Sequence, residues 1–318
     1  MKKVDFSGKG CGVYAHFGKK RFIAMLAALV GNGIFGFSFM FSRMALAVAS
    51  PFVMLTYRFL IAALILSGVA LISHRRNAQG FMRFDLRGKR IGPLIALGLV
   101  QPVLYFLCES YGISLTNATV SGVIIALIPI VALTAAFLIM KEIPTRRQVM
   151  FSLLSIAGVI AMTLEQSAGG EIRALGVVLL IGAVISGAAF NMMSRRLSSD
   201  FSALERTCVM MVTAALIFAL LAVWQCRADL MQLIRPVQSP AFLISLLYLS
   251  LFSSILAFLC LNYAATVLPV RQTTAFCNVT TVLSVFAGAV FLDERITLLS
   301  CIAAVVIIIG VFGVQKEG

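Results

Sequence analysis

Gln101, Tyr105 and Glu109 follow one another at i, i+4 and i+8 within one apolar run, so a helix carries all three on a single face. An amide, a phenol and a carboxylate so aligned can hydrogen-bond a polar solute, and the carboxylate can carry a proton. Pro102, beside Gln101, removes a backbone donor and bends such a helix. A second internal charge, Arg58, lies in another apolar run about seven residues from its start. Polar groups inside an apolar run are costly, and they face either a cavity or a partner side chain. Further polar positions recur in other runs. Asn32 shares a face with Gly36, Phe39 and Arg43; Asn191 is the counterpart in the other half of the chain, although an offset of 152 puts it under Phe39 rather than Asn32; Tyr248 and Asn262 lie on one side of a helix; Thr274, Asn278 and Thr281 form a third group. Each suits hydrogen bonding to a zwitterionic or polar solute. The plainer role for any one of them is an interhelical hydrogen bond of about 0.6–2 kcal/mol.

The elements that must position these residues follow from composition. The chain has 318 residues, of which 61% are hydrophobic and 12% charged, with a mean hydropathy of +1.03. Soluble domains carry about 25% charged residues, so the chain needs hydrocarbon around it. In lipid only helices and closed barrels satisfy every backbone group. Barrel strands are short and alternate in polarity, whereas these runs are about 20 residues long and apolar on all sides. An all-α membrane protein is predicted, with ten spans near 22–42, 51–72, 91–110, 118–140, 148–164, 174–193, 205–224, 242–264, 271–292 and 297–315. Basic residues before the first span and Ala47-Val48-Ala49 after it resemble a cleavable signal, but the apolar run is too long for one. The seven cysteines occur singly and mostly inside apolar runs, which reads as packing. Both histidines, His16 and His74, lie in a tail and a loop, so no metal or cofactor site is expected.

Shifting the chain by 152 positions brings the same punctuation back. Tyr263 falls under Tyr111, Glu294 under Glu142, Thr297 under Thr145, Gly310 under Gly158, and Ser194-Arg195 under Ser42-Arg43. Only 7 of the 49 positions from 111 to 159 are identical, so the shared register of breaks carries the repeat rather than the letters. The reading is a basic tail at 1–21, a first repeat at 22–165 and a second at 172–316, each of five spans. Of 26 Lys and Arg, 20 fall on the side of the N-terminus, five on the other side and Arg58 inside a span, which sets both termini in the cytoplasm. The net charge of +14 is spent on that asymmetry and does not point to nucleic acid. An odd number of spans per repeat makes the second repeat insert upside down, the arrangement of alternating-access carriers. In this topology Arg58 and Glu109 reach compatible depth in the outer half. Either they form a buried pair that a substrate or proton contests, or the pair is static, or Glu109 is hydrated. Pro129 is expected to kink the fourth span. Thr281 overlies it in the second repeat, so no matching break is expected there.

Several segments together resemble the drug/metabolite transporter superfamily, EamA-type branch. They are Gly36-Phe37-Ser38-Phe39 through Arg43, Pro51 through Arg58-Phe59, Tyr105-Phe106 through Tyr111-Gly112-Ile113, Ile128-Pro129-Ile130 through Glu142, and Val290-Phe291-Leu292-Asp293-Glu294-Arg295. The last closely matches the turn typical of the C-terminal EamA repeat. The first repeat departs from it, with Ile143 where a basic residue usually falls. The resemblance implies a plasma-membrane carrier, with spans one to four and six to nine lining a central cavity and spans five and ten peripheral. It leaves the substrate open, since the family includes exporters of amino acids, other metabolites and drugs.

The leading function is therefore a secondary carrier, an exporter of a small solute by alternating access, with proton coupling through Glu109 as a hypothesis. Arg58, Gln101, Tyr105, Glu109, Asn32, Asn191, Asn262 and Asn278 are its candidate binding or coupling residues. A membrane-embedded enzyme acting on lipid would need clustered His, Asp or Ser groups or a large soluble loop, and neither is evident. A channel would need a ring of charge or a carbonyl filter. No nucleotide-binding loop is present in the sequence. The expected partners are a small-molecule solute and the bilayer, and small residues on span exteriors are compatible with a homodimer.

Overall fold

The structure, a computed structural model, describes residues 9–140, 145–168, 173–292 and 297–316. Among these every regular element is helical. Six helices are long and apolar enough to cross a membrane: Lys20–Leu46, Pro51–Arg75, Gly92–Leu115, Ala174–Leu197, Ala203–Gln225 and Pro240–Val267. They coincide with predicted spans one, two, three, six, seven and eight. Shorter apolar helices over Ala118–Ala132, Val279–Phe291 and Cys301–Gly310 fall within predicted spans four, nine and ten. The helix Arg146–Ala168 covers span five. The first helix starts at Lys9, so part of the predicted tail continues span one. The turns at Glu142 and Glu294 lie outside the described residues.

Spans three, four, eight and nine are interrupted. Gln101 adopts φ −145° and ψ 120°, the extended conformation favoured before a proline. The carbonyl of Val100 is instead capped by the Ser186 hydroxyl of span six at 2.5 Å. Span eight carries a wide π-type turn over Tyr248–Ala257, at the register of the irregular Leu99–Leu104 in span three. Span four stops at Ile125 and restarts at Ile128, just before Pro129. At the join, Ala126 and Leu127 donate to carbonyls three residues back, at 3.2 and 3.0 Å. The expectation that span nine would lack a matching break is corrected. Span nine stops at Ala275 and restarts at Cys277 without any proline, and Phe276 overlies Ile124 at the repeat offset. Here Phe276 donates to the Thr273 carbonyl at 3.4 Å and Val279 to the Phe276 carbonyl at 3.0 Å. The Thr281 hydroxyl bonds the Gly122 carbonyl of span four at 3.2 Å. That bond ties the part of span nine after its break to the interrupted span four.

Packing repeats at the same 152-residue offset. Arg43 donates to the carbonyl of Ile113 at 3.0 Å, and Arg195 donates to the carbonyl of Ala265 at 2.9 Å. Spans five and ten pack on each other reciprocally. Ser155 donates to the carbonyl of Ile307, its own register equivalent, at 3.1 Å. A Cβ on Gly158 would stand 3.2 Å from the Ala303 carbonyl oxygen, and one on Gly310 would stand 2.7 Å from the Phe151 carbonyl oxygen. Residues 303 and 151 are again 152 apart, as a two-fold relation between the two helices requires. Spans two and seven, also register equivalents, form the other large reciprocal contact.

The glycine contact gives a direct test. Gly310→Val drives a side chain into the backbone of span five and should lower the melting temperature in detergent by the equivalent of about 1–3 kcal/mol. Gly68→Ala meets nothing within 4 Å. It should leave melting unchanged or stabilise the helix by up to about 1 kcal/mol. Equal effects of the two substitutions would contradict the close packing of spans five and ten.

Candidate functional site

The interruptions converge. A narrow cleft is lined by Asn32 of span one, Gln101 and Tyr105 of span three, Gly187 and Asn191 of span six, and Thr273, Cys277 and Thr280 of span nine. Ile125 and Ile128 bracket the break in span four, Thr273 and Cys277 bracket the break in span nine, and Gln101 is itself the break in span three. Irregular backbone at membrane depth is tolerated where it is buried in protein or lines a cavity. Glycine makes the close approach here: a Cβ on Gly187 would lie 2.8 Å from Ile128 and 3.4 Å from Tyr105.

Four of the eight residues singled out in the sequence thus meet in one place. Asn32 donates to the Ala28 carbonyl at 2.8 Å, and Thr280 donates to the Asn32 carbonyl at 2.8 Å. Asn191 donates to the Gly187 carbonyl at 2.9 Å. The Gln101 Oε1 is buried without a protein partner. The cleft volume is about 40 Å³, and one water needs roughly 10–15 Å³ on this measure. It holds a few waters, and a metabolite fits only if the surrounding helices part.

Arg58 and Glu109 are both buried but do not form an ion pair. The Arg58 guanidinium donates through Nε to Ser254 Oγ at 2.8 Å and through Nη2 to Ser253 Oγ at 2.7 Å, both on the irregular turn of span eight. Its flat face lies 4.0 Å from the Phe106 ring centroid, a cation–π contact that replaces some of the lost hydration. Its Nη1 has no partner. The Glu109 side chain faces the Tyr105 phenol one turn earlier. Tyr105 is therefore common to the cleft and to the buried carboxylate.

Asn262 is not at the cleft. Its Oδ1 accepts from Ser194 Oγ at 2.7 Å, and its Nδ2 donates to Thr207 Oγ1 at 3.0 Å. These bonds are part of a network around Arg206. Its Nη1 donates to the Ser194 carbonyl at 2.7 Å and its Nη2 to the Asn262 carbonyl at 2.6 Å. The network joins spans six, seven and eight. The side chain of Asn278 lies outside the described residues.

Sequence reasoning placed Arg206 among the flanking loop charges, yet it is fully buried. Its neighbour Glu205 was also missed. It completes a capping box with Ser202 at the start of span seven, and it pairs with Lys89 of the 76–90 loop at 3.0 Å. The signal was present as Ser202-Ala203-Leu204-Glu205, the S-x-x-E pattern of a helix start. Among the described residues, no three His, Cys, Asp or Glu come together as a metal-binding group.

The model of the EamA-like transporter family matches residues 22–164 and again 174–315. The uncharacterized transporter YcxC of Bacillus subtilis (strain 168) is 29% identical over 91% of this chain and 92% of its own length. The uncharacterized transporter YetK of the same organism is 26% identical over 91% of this chain and 84% of its own length. A solved crystal structure superposes with a TM-score of 0.62 at 16% identity, covering 91% of this chain and 95% of the other, which shows a shared fold.

The contrast between cleft and network predicts opposite phenotypes. Asn262→Ala strips partners from Ser194 and Thr207 and should lower thermal stability by about 0.6–2 kcal/mol. Asn191→Ala removes only a bond within its own helix and should leave the melting temperature within about 0.5 kcal/mol of the parent. Melting curves of the two purified variants decide the matter, and a larger loss from Asn191→Ala would reverse the assignment.

Proposed function

The chain belongs to the EamA-like transporter family, and on that footing we propose that it is a secondary carrier that exports a small metabolite, an amino acid or drug-like solute, by alternating access. The observation that carries this reading is the convergence of interrupted helices from both repeats on one cleft lined by amides and hydroxyls. Broken helices free backbone groups for a solute at the bilayer midplane, and the interface between repeats is where such sites form. In this reading ten spans form two inverted five-helix repeats in the plasma membrane, with both termini in the cytoplasm. Support comes from the 20-to-5 distribution of basic residues and from the reciprocal contacts of spans five and ten.

Transport follows from the volume of the cleft. With room for a few waters, it is occluded, and a rocking of one repeat against the other opens it to one side at a time. Gln101 offers a buried acceptor that a solute donor satisfies, so binding repairs an existing deficit. In this reading proton coupling runs through Tyr105, which lines the cleft and lies one helical turn before Glu109. Protonation of Glu109 removes a buried charge and changes what the phenol offers the solute.

Uptake of pooled labelled amino acids into proteoliposomes, with and without a pH gradient, tests the reading. The parent protein should accumulate a pool member in response to the gradient. Glu109→Gln should lose the gradient response while still equilibrating the solute. Gln101→Ala should raise the half-saturating concentration about tenfold, as loss of one buried hydrogen bond implies. Recovery of a chemically altered solute inside the vesicles would replace the carrier by an enzyme. An unchanged gradient response in Glu109→Gln would remove Glu109 from coupling.

A further inference from the structure

Two adjoining cavities lie away from the cleft, where the loop joining spans two and three folds over the flank of spans two and seven. The first, of about 550 Å³, has an apolar floor of Ala70, Leu71 and Leu86, with Ser67 and Cys208. The second, of about 360 Å³, is polar and is lined by Ser73, Asn77, Gln79 and Arg83. His74, Phe84 and Asp85 line both, so the two adjoin as one amphipathic site, with Arg87 lining the first cavity and Arg83 the second. Leu71 is 53% exposed on the lipid-facing side of span two, which gives the apolar compartment a route to the membrane.

The charge around the site is positive. Arg83 and Arg87 line it and are exposed, and exposed Arg75 and Arg76 end span two beside it. Asp85 is the one acid in the lining, and its carboxylate meets Arg83 only at 3.8 Å. Arg87 forms no ion pair among the described residues. Glu205, close by, is already neutralised by Lys89 at 3.0 Å. His74 donates Nδ1–H to the Phe84 carbonyl at 3.1 Å.

The loop is held in place without any ligand. Ser73 donates to the Met82 carbonyl, Ser202 of span seven donates to the Arg83 carbonyl at 2.6 Å, and the Asp85 amide donates to Glu205 at 2.8 Å. Gly80 and Gly88 turn the chain at φ +69° and +72°, where a side chain would be strained.

We propose that this loop and the flank of spans two and seven form a binding site for one anionic phospholipid, with an acyl chain over Ala70 and Leu71 and the phosphodiester against Arg83 and Arg87. Clustered basic residues next to a membrane helix attract anionic headgroups, and here an apolar compartment opens directly beneath them. Since the same loop is bolted to the start of span seven, an occupied site ties spans two and seven together more tightly.

The test uses the full chain, purified and delipidated in detergent, melted with dioctanoyl-phosphatidylglycerol, dioctanoyl-phosphatidylcholine or inorganic phosphate. The glycerol lipid should raise the melting temperature saturably, the choline lipid should do so weakly, and phosphate not at all. Arg83→Gln combined with Arg87→Gln should weaken half-saturation by the glycerol lipid roughly 30-fold, at the usual contribution of each basic residue near a membrane surface. Leu71→Trp, which obstructs the apolar compartment from an exposed position, should abolish the response to both lipids. A response to phosphate equal to that of the lipid would leave only a free-anion site, and equal responses to the two lipids would remove the headgroup selectivity. The proposal falls in either case, as it does if the double variant responds like the parent or no lipid raises the melting temperature.

Discussion

Inside a bilayer every amide and carbonyl left out of a helix needs another partner, because the hydrocarbon offers none. The architecture of this protein turns on how it meets that demand at four broken helices. The Val100 carbonyl, freed where Gln101 turns extended, is taken by Ser186. The Gly122 carbonyl accepts Thr281 across the two repeats. The irregular turn of span eight presents Ser253 and Ser254 to Arg58. These bonds cross from one helix to another, so they tie the interrupted helices to their neighbours. The breaks in spans three, four and nine also border the same cleft, which concentrates backbone polarity where a solute can use it.

Buried charge is handled differently in the two halves. Arg206 is held by carbonyls and a hydroxyl contributed by spans six and eight. Arg58 has two hydroxyls and an aromatic face but keeps one nitrogen unpartnered. The register equivalents of the two arginines are Met54 and Met210, both buried and apolar. Asn262, the hub of the second-half network, overlies Ser110, which is buried with no partner for its hydroxyl. The halves therefore share backbone contacts, such as Arg43 to Ile113 and Arg195 to Ala265, while their polar side-chain networks diverge.

Membership of the EamA-like family makes the chain a multi-pass membrane transporter, and the relatives YcxC and YetK are likewise named as transporters. The cleft narrows the chemistry. Its described lining has amides, hydroxyls, one phenol and apolar surface, with the buried charges Arg58 and Glu109 set behind it. A solute seated there, as proposed above, would meet hydrogen-bonding groups and apolar surface rather than an exposed charge.

The sequence by itself determined the membrane class, the position of the apolar helices and the repeat at a 152-residue offset, because hydropathy and break spacing are local properties that survive the loss of identity. It also marked Asn32, Gln101, Tyr105 and Asn191, since a polar residue in an apolar run is conspicuous wherever it points. Only the tertiary structure decided which of these meet. A helical face is legible from spacing, but which neighbour covers that face depends on packing between distant segments. That is why Asn262 turned out to serve Arg206, why Arg58 sits on serines and a phenylalanine ring, and why span nine breaks without a proline. Arg206 looked like a loop charge because its burial comes from carbonyls of two other helices, and a carbonyl leaves no letter in the sequence.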